Sequence, residues 1–235
     1  MRLDKFICKS TELSRSEARR FICSGAITVN AEVVLAEAFQ VHENNDVMLD
    51  GQKLIARDSR YLMLHKPAGT VCSNVDEVYP SIFNLVDIES VDNLHVVGRL
   101  DADTTGLVLM TDDGRWSFDI TRPDRQCEKV YRVGLRDPIA EDAAMRLGAG
   151  IQLQGEDRLT LPAKLQVLNQ RQVLLTITEG KFHQVKRMFA AIGNRVESLH
   201  REKIGDVSLD LKLGEWRYLT VDEVASLKNN TYFSG

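Results

Sequence analysis

Apolar and polar positions change their period along this chain, and the change divides it. After Ser14-Arg15-Ser16-Glu17, apolar residues fall at helical spacing, with Ala18, Phe21 and Ile22 on one side. Ser14 and Glu17 make a capping box, in which hydroxyl and carboxylate each take a free backbone N–H at the helix start. Gly25 supplies the left-handed exit. Residues 26–30 and 33–35 then read as two short strands about a turn, and 46–51 as a third that closes on Asp50-Gly51. Ala31 after Asn30 disfavours a tight primed turn between the first two. The polar stretch 51–60 is the expected linker.

From Tyr61 onward the pattern is mixed. Tyr61-Leu62-Met63-Leu64 is an apolar strand stopped by Lys66-Pro67-Ala68-Gly69, and Leu107-Val108-Leu109-Met110 is another, stopped by Thr111-Asp112-Asp113-Gly114. Residues 129–135 and 172–178 alternate with period two, as half-buried antiparallel strands do. Helices are predicted at 141–147, 184–192 and 221–227. Such a mixture predicts an α+β fold built on a mainly antiparallel mixed sheet with flanking helices. The expected division is residues 1–57, residues 61–228 and a fraying tail at 229–235.

Composition narrows the class. With 235 residues, 43% hydrophobic and 27% charged, the chain can bury a core without metal or disulfide staples. Its apolar runs are far too short to span a bilayer, and Met1-Arg2-Leu3-Asp4-Lys5 opens no signal-peptide core, so no membrane role and a cytoplasmic location are expected. Cys8, Cys23, Cys72 and Cys127 are widely separated and read as isolated thiols. The net charge of −4 gives no general attraction to nucleic acid, so any such binding must come from local clustering.

Residues 1–30 carry that clustering, with six basic side chains (Arg2, Lys5, Lys9, Arg15, Arg19, Arg20) against three acids. Arg15, Arg19 and Arg20 share one side of the capped helix. The alternative is an ordinary solvated helix face. A second concentration lies at Gly98-Arg99-Leu100-Asp101-Ala102-Asp103-Thr104-Thr105-Gly106-Leu107, where glycines bracket an arginine, two acids and two hydroxyls between apolar segments. A turn held between core strands can present a carboxylate with little freedom, as covalent or acid–base chemistry requires. A polar turn satisfying its own backbone is the bland alternative. Asp101-x-Asp103-x-Thr105 also fits the nucleophile motif of magnesium-dependent haloacid-dehalogenase-type phosphatases.

Two resemblances reach further. Arg2-Leu3-Asp4-Lys5, Ser14-Arg15-x-x-Ala18, Ile22-x-x-Gly25 and Val29-Asn30 resemble the S4 RNA-binding domain, departing from it at Ala31 and Asn45, where glycines are common. The stretch from Gly98 to Leu107 resembles the catalytic signature of pseudouridine synthases that modify ribosomal RNA, of the RsuA type acting on the small subunit. Leu64-His65-Lys66-Pro67-x-Gly69, Glu128-Lys129-x-Tyr131, the run from Glu179 to Phe189 and Leu199-His200-Arg201-x-x-Ile204-Gly205 resemble further segments of that family, in chain order.

The resemblance implies an S4-like α/β module in front of a synthase domain that converts one uridine of 16S rRNA, uridine 516, without cofactor or metal. It implies 16S rRNA or a small-subunit assembly intermediate as partner, for a protein expected to be a monomer. It places the essential aspartate at Asp101, a cationic partner at Lys186 and a platform for the uracil at Tyr131. Helical geometry agrees for Lys186, which lies on the flank of the stripe Val185, Met188, Phe189 and Ile192, about 60° from Phe189. Arg187 lies opposite the stripe, suited to solvent or RNA. Lys129 shares a strand face with Tyr131 and is expected to seek phosphate; Arg99, Lys66 and Arg122 are candidate contacts to phosphate or an everted base. Arg2, Lys5, Arg15, Arg19 and Arg20 are the expected docking cations of the S4 face. His65, His95, His183 and His200 lack metal-ligand spacing and are read as structural or RNA-contacting. The two other readings are the phosphatase and a non-catalytic S4 ribosome-assembly factor.

Overall fold

A computed structural model of the chain describes residues 1–229 and resolves two compact units, the first Met1–Ser59, the second beginning at Arg60. The expected tail at 229–235 lies beyond the described residues from 230 on.

The first unit packs helices α1 (Leu3–Ser10) and α2 (Arg15–Cys23) on a four-stranded antiparallel sheet of β1 (Ile27–Val29), β2 (Glu32–Val33), β3 (Val47–Leu49) and β4 (Gln52–Lys53), in the order β2-β1-β3-β4. The capping box forms as predicted: Ser14 N donates to Glu17 Oε2 at 2.8 Å and Glu17 N to Ser14 Oγ at 3.3 Å. Leu3, Ile7, Ala18, Ile22, Ile27, Val29 and Val47 fill the core. The turn that Ala31 disfavours forms nonetheless, with Asn30 and Ala31 at φ 52° and 69°. Asn30 Oδ1 accepts from Asp46 N, tying the turn to the next strand. Gln52–Lys53 was expected to begin a linker; it is instead the edge strand β4, because Asp50-Gly51 turns the chain back onto β3.

The second unit is a nine-stranded mixed sheet. Its path is β13 (Trp216–Tyr218), β5 (Tyr61–Lys66), β7 (Thr105–Thr111), β11 (Val196–Ile204), β8 (Lys129–Leu135), β10 (Gln172–Ile177) and β9 (Lys164–Asn169), with β6 (His95–Val97) beside β7 and β12 (Val207–Ser208) beside β11. Among the described residues every strand pair of this sheet is antiparallel except β7 with β11. Helices α3 (Gly114–Thr121), α4 (Ala143–Gly148), α5 (Gln184–Ala191) and α6 (Val221–Asn229) complete it.

Burial explains the two kinds of strand pattern. Leu62, Leu64, Val108 and Met110 pack into one core with Tyr131, Val133, Val185, Met188 and Phe189. Met63, Leu107 and Leu109 pack into a second core with Trp116, Ile120 and Ile204. Strands β5 and β7 are therefore covered on both faces and read as unbroken apolar runs, whereas β8 and β10 alternate. Strand β11 is central and yet polar in sequence, Val196-Glu197-Ser198-Leu199-His200-Arg201-Glu202-Lys203-Ile204. No hydrophobic period announces it.

Candidate active site

The turn between β6 and β7 is clamped from several sides. Gly98 and Gly106 take φ of 76° and 114°. A Cβ on Gly106 would stand 2.3 Å from the carbonyl oxygen of Arg201, so only glycine lets β7 approach β11 there. Lys66, at the end of β5, is fully buried, and its ammonium donates to the carbonyls of Pro67, Ala102 and Thr104 at 3.0, 3.2 and 2.9 Å. Burial lowers its pKa, with Cys72, Asp103 and Asp101 pulling the other way. Lys66, expected as a contact to phosphate or an everted base, has its ammonium on these carbonyls and locks the backbone on both sides of Asp103. Gly69 N and Leu100 N add bonds to the Ala102 carbonyl and to Cys72 Sγ.

This turn and helix α5 meet through one ammonium. Lys186 Nζ donates to Asp101 Oδ2 at 3.1 Å and to Asp103 Oδ1 at 2.6 Å. Burial lowers the Lys186 pKa, but the bonds to Asp103 and Asp101 outweigh it and the net shift is upward. The hydrogen bond from Lys186 holds the Asp103 carboxyl below its usual range. Asp103 is the more exposed carboxylate, Asp101 the more enclosed one. The ammonium thus fills the space between the two carboxylates, where the phosphatase reading requires a divalent cation.

The other oxygen of Asp101 is met by a residue that sequence reasoning did not bring there. His183 Nε2 stands 3.3 Å from Asp101 Oδ1. His183 caps α5 in the left-handed region, φ 47° and ψ 34°, which an L residue seldom adopts unless its surroundings impose it. The only sequence signal was its place in the run from Glu179 to Phe189.

Asp101 opens into a cleft of about 720 Å³ whose lining includes Arg99, Lys129, Tyr131, His183 and Arg201. Tyr131 is a buried wall of that cleft, and Arg201 Nη1 donates to its hydroxyl at 3.3 Å. Arg201, itself fully buried on β11, also donates to the carbonyls of Leu107 and Gly98, both at 2.8 Å. A buried guanidinium needs such partners, and here they couple the Tyr131 wall to the start of the turn that bears Asp101. No sequence signal marks Arg201 for this role, because the polar β11 has no hydrophobic period that would show its burial.

The remaining expectations divide. Arg99 is exposed on the cleft. Lys129 lines it beside Tyr131, but is buried with its ammonium on the Cys127 carbonyl at 3.0 Å, and burial lowers its pKa. It forms part of the cleft wall, with its ammonium held by that carbonyl. Arg122 lies outside the cleft lining, between Asp119 and Asp124 and over the Phe118 ring. Arg187 is not turned to solvent: it donates to Glu156 Oε1, the Phe182 carbonyl and the Gln154 carbonyl. The reason in both cases is a nearby acid or carbonyl that the helical wheel does not show.

In the first unit the expected cations are organised by two acids. Asp4 is fully buried and accepts from Arg2 and Arg15. Burial raises its pKa, but the two guanidinium partners outweigh it and the net shift is downward. Glu37, not singled out in the sequence, pairs with Arg2 and Arg19. Lys5 and Arg20 are exposed.

The chain as a whole is similar to known proteins. The RNA pseudouridylate synthase family matches residues 60–191 and the S4 domain family residues 1–47. The ribosomal small subunit pseudouridine synthase A of Vibrio cholerae is 51% identical over 229 residues, covering 97% of this chain and 99% of that protein. Its namesake from Escherichia coli is 50% identical over 230 residues, covering 97% and 100%. A crystal structure of a pseudouridylate synthase, 47% identical, superimposes with a TM-score of 0.71 over 97% of this chain and 99% of that one.

Proposed function

The chain belongs to the RNA pseudouridylate synthase family, in its RsuA-like branch with an S4 domain, and from that premise we propose that it converts one uridine of small-subunit 16S rRNA, uridine 516, to pseudouridine. Membership of the family overturns the phosphatase reading and the non-catalytic one.

In this reading the target uridine leaves its stack, at a cost of a few kcal/mol, and enters the cleft over Tyr131. The bond from uracil N1 to ribose C1′ breaks, the base turns, a bond from C5 to C1′ forms, the C5 proton leaves to solvent and N1 takes up a proton, so the composition of the nucleotide is unchanged. No atom is gained from a second substrate. Asp101 supplies the carboxylate for this chemistry, and the hydrogen bond from Lys186 holds it in place. Asp103 shares Lys186 and holds it at the rim. Arg201 and Lys66 fix the wall and the turn between which the base must sit. Arg99 meets the phosphate or the everted base, and the S4 face with Arg2, Lys5, Arg15, Arg19 and Arg20 docks on folded RNA, the protein acting as a cytoplasmic monomer without cofactor.

The observation that carries this reading is the pair Asp101 and Lys186, 3.1 Å apart in the cleft that Tyr131 lines. Replacing Asp101 with Asn is expected to cut pseudouridine formation in 16S rRNA at least about a thousandfold, with RNA binding retained. Release of tritium from uridine labelled at C5 measures the first and filter binding the second. Full activity in that variant would remove Asp101 from the reaction.

A further inference from the structure

Phe182 is 75% exposed, yet it is among the better-anchored residues of the cleft rim. Its ring lies face to face with that of His183, centroids 3.7 Å apart and planes 24° apart. Its carbonyl accepts from Arg187 Nη1 at 2.9 Å. Arg187 and Lys181 are both held by Glu156, and Lys181 N donates to Gln184 Oε1 at 2.8 Å. The backbone beneath the ring is therefore fixed, while the ring is left in water. A single exposed aromatic is unremarkable in itself. Here it continues a stack that begins at the His183 imidazole touching Asp101, and it lines the same cleft.

We propose that the Phe182–His183 pair is a stacking ledge for a nucleobase of the RNA, the unpaired neighbour of the uridine that enters the cleft. The inference rests on the isomerase reading above and adds a second base site to it. An everted nucleotide leaves its neighbours without a stacking partner, and a fixed aromatic face is the surface that single-stranded nucleic acid uses in exchange. The ledge lies one ring beyond His183, so the base it takes is not the one over Tyr131. Any base has a π face, so the ledge selects for an unpaired nucleotide and not for a particular base.

The test uses the full chain and a 16S rRNA transcript carrying 2-aminopurine in turn on each side of the target uridine. Wild type is expected to quench the probe at one of the two positions. Phe182→Ala is expected to lose that quench and raise KM roughly tenfold with kcat little changed, and Phe182→Trp to restore both. Because the ring is exposed, Phe182→Ala should melt with wild type, which separates the ledge from a packing role. Equal quench and KM in wild type and Phe182→Ala would overturn the ledge. A quench that depends on Phe182 without any turnover by wild type would support the ledge and overturn the isomerase reading, so the two fail separately.

Discussion

The two units use their cations in opposite ways. In the first, Arg15, Arg19, Arg20 and Lys5 are exposed on or beside α1 and α2, and those that are paired take carboxylates, Asp4 and Glu37. In the second, Lys66, Lys129 and Arg201 are buried and donate mostly to backbone carbonyls, and the half-buried Lys186 takes the carboxylates of one turn. Exposed cations exchange partners at little cost, which suits a surface that must trade counterions for phosphates. Buried cations cannot, because each lost bond leaves a charge unsolvated. In the proposed function docking and positioning draw on the same residue types, and burial decides which task a lysine or arginine could serve.

The contrast is sharpest at Lys186. Lys186→Met is expected to lower kcat about a hundredfold while leaving RNA affinity near wild type, read by single-turnover tritium release. Its effect on stability has a sign. Asp103, held below its usual range, stabilises the fold above the ordinary carboxylate pKa and ceases to as pH falls through its lowered value. Lys186, held above its usual value, contributes below the ordinary lysine pKa and ceases to as pH rises through its raised one. The melting difference between wild type and the variant should be full near neutrality and shrink towards both extremes; a difference independent of pH would break the pairing.

Lys66→Met tests the buried side of the comparison. Three carbonyls lose their donor, so a loss of about 2–4 kcal/mol in unfolding free energy is expected in denaturant titrations. Turnover should fall with RNA affinity spared, because Lys66 holds the turn and does not touch the outer surface. The exposed side is tested by Arg15→Ala with Arg19→Ala, expected to weaken RNA binding about tenfold and to reduce the slope of log K against log salt by up to about 2. An unchanged slope would mean that Asp4 and Glu37 keep these guanidinium groups from phosphate and that docking lies elsewhere.

The smallest effect is a control away from the cleft. Arg217 on β13 donates to Glu223 on α6, whose carboxyl is pushed down to about 2, chiefly by that bond. Glu223→Gln is expected to cost about 1 kcal/mol at pH 7, progressively less as pH falls from the ordinary glutamate pKa, and nothing once pH is below the lowered one. Activity at neutral pH should not move.

Much of this was legible in the chain. Ser14 and Glu17 state a helix start whatever surrounds them, since their hydrogen bonds are local. The strands at β5, β7, β8 and β10 were predicted from period and turn residues, with ends within a few positions of those observed. Asp101 and Lys186 were paired by family resemblance and helical phase. The 2.6 Å contact of Asp103 to Lys186 had no signal in the sequence, since the two lie more than eighty positions apart. Strand β11, with Arg201 at its centre, escaped because a polar strand in mid-sheet has no hydrophobic period. Its partners, the carbonyls of Gly98 and Leu107, are about a hundred positions away.

Local order, then, belongs to the chain itself: capping, turns and strand alternation depend on neighbours a few residues apart, whose free energies the sequence states directly. Which cations are buried, that Lys66 clamps a turn and that His183 meets Asp101 were decided only when distant segments packed. Burial is a property of the assembled layers, and a charge is solvated or desolvated by what the fold brings to it.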